Sequence, residues 1–170
     1  RRWLTVAALL LVGHSAYFTP SLAAAQKEFP DWDQGVYAEI NRRHGEEAAQ
    51  RMIDVVQFVK VHLNDPVEVQ LEAVNDYMNE MTWIADSELW KQPDYCATPF
   101  ETITTFDGDC EDIALAKRAR LVEIGYASAA LRLAFVFDRD RPSAHCVLTV
   151  ETTHGTYLLD SFSDHVTDWV

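Results

Sequence analysis

The spacing of apolar residues changes once along this chain, and that change limits the fold more than any other feature. Ala49, Met52, Ile53, Val56 and Val59 recur at helical intervals over residues 46–63, and Val67, Leu71, Val74, Met78 and Met81 mark a second helix at steps of four, three, four and three. Asn64-Asp65-Pro66 separates the two, with Asp65 expected as N-cap, Pro66 at the first helical position and Glu68 completing a capping-box-like arrangement. Residues 87–98 are irregular and aromatic. A third helix is expected over residues 110–124, closed by Gly125, with Lys117, Arg118 and Arg120 towards the end where cations suit the helix dipole. Beyond Gly125 the period becomes two. Leu131, Leu133, Phe135 and Phe137 alternate with Arg132, Ala134 and Val136, and further strands follow at 144–151 and 156–160, with turns at 139–142 and 152–155. Helices first and strands last define an α+β domain, a helix bundle packed on an antiparallel sheet.

Charge narrows the partners. A formal net charge of -13 over 170 residues repels nucleic acid and anionic membranes and suits divalent cations or basic partners. Residues 1–25 stand apart: Arg1 and Arg2, an apolar stretch from 3 to 12, then Pro20-Ser21-Leu22-Ala23-Ala24-Ala25 have the order of a secretory signal cleaved before Gln26. The apolar run is short for a membrane span and is interrupted by Gly13 and His14. The expectation is an exported domain over 26–170, in a compartment that permits disulfides. Its three cysteines, Cys96, Cys110 and Cys146, leave at least one thiol unpaired or pairing elsewhere.

Cys110 stands at an expected helix start, where unsatisfied N–H groups and the dipole favour thiolate and can receive an oxyanion. A thiol nucleophile needs a base. In the second strand His145, Val147 and Thr149 share one face, while Cys146, Leu148 and Val150 share the other, apolar one. If the hairpin loop is 152–153, residue 145 faces 160; if it is 152–155, residue 145 faces 162 and Asp160 is its diagonal neighbour. Both registers put His145 and Asp160 on one face, where a carboxylate can orient an imidazole.

With Gly108-Asp109-Cys110-Glu111-Asp112, Asp94-Tyr95-Cys96-Ala97-Thr98-Pro99-Phe100-Glu101-Thr102, Ala144-His145 and Leu158-Leu159-Asp160, the chain from about residue 58 onward resembles the bacterial transglutaminase-like cysteine proteinases, specifically the periplasmic LapG-type enzymes that release biofilm adhesins. The resemblance implies a papain-like, transglutaminase-like fold and a catalytic triad of Cys110, His145 and Asp160. It implies calcium held by Asp109, Glu111 and Asp112, a large surface adhesin as substrate, and restraint by a cyclic-di-GMP-responsive inner-membrane receptor. A hard cation fits physically, because three carboxylates beside a thiol would otherwise raise its pKa. An EF-hand is excluded: counted from Asp107, the sixth position is Asp112 and the twelfth Arg118. The chain departs from the family at Cys96, where an aromatic is expected, at Cys146, and at Ser161, where Asn is expected; Cys96 raises the option of a disulfide. Further strands of such a domain are expected beyond Val170. Two other functions fit the same residues: transglutaminase or amidase chemistry on the same triad, and a non-catalytic calcium-dependent binding module.

Overall fold

The computed structural model describes residues 27–139 and 142–169; the segment with the order of a secretory signal lies outside them, as does part of the 139–142 turn. Helices α1 (Gln34–His44), α2 (Glu46–His62) and α3 (Val67–Asn79) open the domain. Asp33 caps α1 by accepting the Gly35 N–H at 2.7 Å, and Gly45, at φ 92°, turns the chain directly into α2. The apolar stripe of α3 is core: Leu71, Val74 and Met78 are fully buried, packed with Met52, Val55 and Val59 of α2.

The start of α3 differs from expectation. Pro66, with ψ 152°, is the N-cap and the helix begins at Val67 without a side-chain cap. Asp65 is drawn instead to His62, 2.8 Å from its Nδ1, and Glu68 meets His154 Nδ1 at 2.9 Å.

Short elements then build the surroundings of Cys110: β1 (Thr82–Trp83), α4 (Asp86–Leu89), α5 (Pro99–Thr105), β2 (Asp107–Gly108) and α6 (Cys110–Ile124). A reciprocal capping box between Thr98 and Glu101 starts α5, and β2 pairs parallel with β1. Helix α6 ends where the sequence predicts, at Gly125, whose φ of 113° admits glycine with little strain. Its cations are not on a solvated face. Lys117 and Arg120 are buried, because α6 is enclosed by α3, α5 and the sheet. Arg120 pairs with Glu123 at 2.7 Å.

The sheet runs β3 (Leu131–Asp138), β4 (Ser143–Thr152), β5 (Gly155–Leu159) and β6 (Thr167–Asp168), antiparallel throughout. Leu131, Cys146, Leu148, Val150 and Leu159 present one buried face to the helices. Alternation alone predicts that Phe135 and Phe137 continue this face inwards, yet they are 74% and 69% exposed. β3 is an edge strand and α6 lies along β4, so the outer half of β3 goes uncovered.

Candidate active site

Cys110 occupies the first position of α6 because β2 delivers the chain there through a residue with no side chain. A Cβ on Gly108 would lie 2.8 Å from Cβ of Asp112, closer than carbon atoms tolerate. Asp109 precedes the helix as its N-cap, but its side chain makes no capping bond. The helix's first N–H groups are therefore not consumed by that carboxylate.

The thiol of Cys110 donates to Oε2 of Glu111 at 3.1 Å. Burial pushes it up to about 12; the Cys146 backbone N–H pulls the other way, and Glu111 and Asp109 push it up further.

On the facing strand, the hairpin adopts the second of the two expected registers. Glu151 pairs with Thr156, and an added Thr152–Gly155 pair shortens the turn to Thr153-His154. Asp160 is thereby diagonal to His145, and its Oδ1 lies 2.7 Å from His145 Nε2. The same oxygen accepts the Phe162 N–H at 2.9 Å, and the Phe162 ring stacks on the imidazole at 4.8 Å and 25°. His145 is only 4% exposed. With Nε2 committed to Asp160, Nδ1 is the nitrogen left to exchange a proton with a thiol. Cys110 and His145 line one cavity of about 320 Å³, together with Trp83, Ser143, Ala144 and Phe162.

The loop carrying Asp160 is held from behind. Asn79 Nδ2 donates to the Asp160 and Ser163 carbonyls at 3.1 and 2.9 Å, and Asn75 Nδ2 donates to the Ser163 carbonyl at 2.7 Å. Lys117 Nζ donates in turn to Asn75 Oδ1 at 2.8 Å. Burial lowers the Lys117 pKa to about 7, against the opposing pull of Asp160 and Asp76. Ser161, at the position where Asn was expected, leaves its hydroxyl buried without a hydrogen bond.

All three cysteines are free thiols. Cys146 is 1% exposed and pushed up to about 11, mainly by burial, as befits a core residue. Cys96 is exposed, and Asp112, Glu111, Asp109 and Asp94 add to the burial that raises its pKa.

Of the three acids singled out in sequence, Asp109 is pushed up to about 8 by burial and by its hydrogen bond with Glu111. Asp112 is fully buried, which raises its pKa, while its Oδ1 accepts the Ala97 N–H at 2.7 Å. Asp109 Oδ1 and Asp112 Oδ2 are buried with no hydrogen-bond partner. Sequence reasoning missed Asp86, Trp83, Phe162, Asn75 and Asn79. The two asparagines had a signal, a polar pair at i and i+4 bordering the apolar stripe of α3; Asp86, Trp83 and Phe162 meet the site only through the fold.

Residues 35–170 match the bacterial transglutaminase-like cysteine proteinases, and the chain belongs to that family. It is a cysteine peptidase. Among solved structures it is similar to calcium-bound LapG of Legionella pneumophila, at 26% identity and a TM-score of 0.69, covering 79% of this chain and 75% of that one. LapG from the same organism solved otherwise (TM-score 0.68, 26% identity, 82% and 78% coverage) and after EGTA treatment (TM-score 0.68, 26% identity, 82% and 76% coverage) superposes equally well. No curated protein matches the chain significantly.

Proposed function

We propose that this chain is an exported, calcium-dependent cysteine endopeptidase with Cys110 as nucleophile, His145 as general base and Asp160 as the residue that orients it. The observation that carries the reading is a cavity shared by Cys110 and a His145 whose far nitrogen is tied to Asp160. His145 Nδ1 takes the thiol proton as Cys110 Sγ attacks the scissile carbonyl. The oxyanion is received at the start of α6, where the Cys110 N–H has no carboxylate cap competing for it. His145 then delivers the proton to the leaving amine. Water, deprotonated by His145, attacks the thioester, and the thiol is restored as the product acid leaves.

Asp109, Glu111 and Asp112 supply only oxygen donors, and two of them keep a buried carboxylate oxygen unpartnered, which suits a hard cation. Bound there, calcium would offset the negative field that keeps the thiol protonated. The LapG relatives include both a calcium-bound and an EGTA-treated form.

By kinship with those enzymes, the substrate is a linker in a large surface adhesin, the compartment is the periplasm, and the restraining partner is a cyclic-di-GMP-responsive inner-membrane receptor. Purified protein should cut adhesin N-terminal fragments in calcium, with no cleavage in excess chelator and none by Cys110→Ala. Cleavage by Cys110→Ala would end the proposal, and undiminished activity after thorough chelation would remove calcium from it.

A further inference from the structure

The loop after β5 brings two groups to the imidazole of His145, the Asp160 carboxylate and the Phe162 ring, yet residues 160–163 lie in neither helix nor strand. A loop fixes side-chain geometry poorly unless rigid elements brace it. Helix α3 supplies the brace. Asn75 and Asn79 stand four residues apart and so share one face of that helix. Asn79 Nδ2 bonds the Asp160 and Ser163 carbonyls at 3.1 and 2.9 Å, and Asn75 Nδ2 bonds the Ser163 carbonyl at 2.7 Å.

Two details separate this arrangement from ordinary packing. Asn79 makes both of these bonds through its nitrogen, while its Oδ1 is buried with no hydrogen-bond partner. A bare buried acceptor costs free energy, but turning the amide over would aim an oxygen at two carbonyl oxygens. Asn75 is held against the same turn from its other end. Lys117 Nζ, in a side chain only 1% exposed, lies 2.8 Å from Asn75 Oδ1. Protonated, that amine only donates, so the oxygen of Asn75 faces the lysine and its nitrogen faces the loop. Neither asparagine lines the cavity shared by Cys110 and His145.

We propose that Asn79 and Asn75 are positioning residues for the reaction: they fix the 160–163 backbone so that Asp160 Oδ1 stays against His145 Nε2, and Lys117 sets the orientation of Asn75. The inference rests on the triad reading above and extends it to α3. In that role the asparagines act on the chemical step through the Asp160 carboxylate. If they serve only to pack the loop, their loss weakens activity equally whatever residue stands at 160.

The test is a double-mutant cycle on full-length protein in calcium, with an adhesin N-terminal fragment as substrate. Asn79→Leu removes both bonds at nearly constant volume. It is made in wild type and in Asp160→Asn, and kcat, KM and urea unfolding are measured for all four proteins. In wild type, kcat is expected to fall about tenfold or more while KM stays within about twofold, because the cavity is intact and the carboxylate drifts. Beside Asp160→Asn, where no charge remains to be positioned, the same substitution should change kcat by less than about twofold. The loss of stability should be the same in both backgrounds. Should Asn79→Leu show no cooperative unfolding, Lys117→Met takes its place in the cycle. It leaves every direct bond to the loop available, so a smaller fall in kcat is expected, about threefold, again absent beside Asp160→Asn. Equal losses of kcat in both backgrounds, or an unchanged kcat in the wild-type background, overturn the proposal and leave the triad standing. Full activity in Asp160→Asn, or no cleavage by wild type, overturns both.

Discussion

Lys117 places its ammonium nitrogen 2.8 Å from Oδ1 of Asn75 inside the domain, and the amide of that asparagine donates at 2.7 Å to the carbonyl of Ser163, three residues beyond Asp160. A buried amine on the helix that begins at Cys110 is thereby connected, through α3, to the loop that carries the carboxylate facing His145.

That cation should leave a pH signature. The Lys117 pKa lies near 7 in the folded protein and near its ordinary 10.5 when unfolded. Between these values the unfolded chain binds more protons, so this group's contribution to stability rises with pH, from about 7 until it levels off near 10.5. Relative to Lys117→Met, wild type should gain about 1 kcal/mol per pH unit between pH 7.5 and 9.5. Urea unfolding of both proteins across that range measures the difference; a flat difference would mean that the amine is solvated.

Asp160→Asn should keep the fold, since an amide oxygen can still accept the Phe162 N–H, while the charge behind the imidazole is lost. A drop in kcat/KM of about 10²–10⁴-fold is expected, by analogy with other orienting carboxylates. Circular dichroism checks the fold and fragment cleavage the activity. Activity within twofold of wild type would take Asp160 out of the mechanism.

Gly108→Ala should be costly for a reason unrelated to chain flexibility. The new methyl would meet the Asp112 Cβ at 2.8 Å and its Oδ2 at 3.2 Å, and Asp112 is fully buried. A loss of about 1–3 kcal/mol in urea unfolding is expected, as for other overpacked sites, with weakened calcium binding by calorimetry.

The Cys110 thiol is pushed up to about 12, so in chelator its alkylation by iodoacetamide should be slow at pH 7.5 and climb steadily to pH 10. Calcium should raise the rate at pH 7.5 by tenfold or more. Peptide mass mapping separates Cys110 from the exposed Cys96. Equal rates with and without calcium would detach the cation from the thiol.

Much of this was legible in the order of residues. The changed period located α6 and the hairpin, Gly125 ended the helix where a left-handed residue was needed, and strand parity put His145 and Asp160 together before the register was known. The short elements were not legible. β1 and β2 hold two residues each and α4 four, too few to show a period. The burial of Lys117 and Arg120 was hidden for another reason: charge predicts solvent until packing on several sides leaves none. Thr98-Pro99-Phe100-Glu101 did carry a readable start for α5, in a threonine cap, a proline at the first position and a glutamate at the third.

The anchoring of Asp160 through Asn75 and Asn79 sets an order of assembly. During synthesis the thiol and its acids emerge first, and the imidazole and its carboxylate follow in the last strands. α3, made earlier than either, waits to grip a loop that does not yet exist. If His145 and Asp160 serve as proposed, a nascent piece that stops short of that loop lacks the orienting carboxylate and is expected not to cut its neighbours. On that reading activity would report that α3 has gripped the loop carrying Asp160.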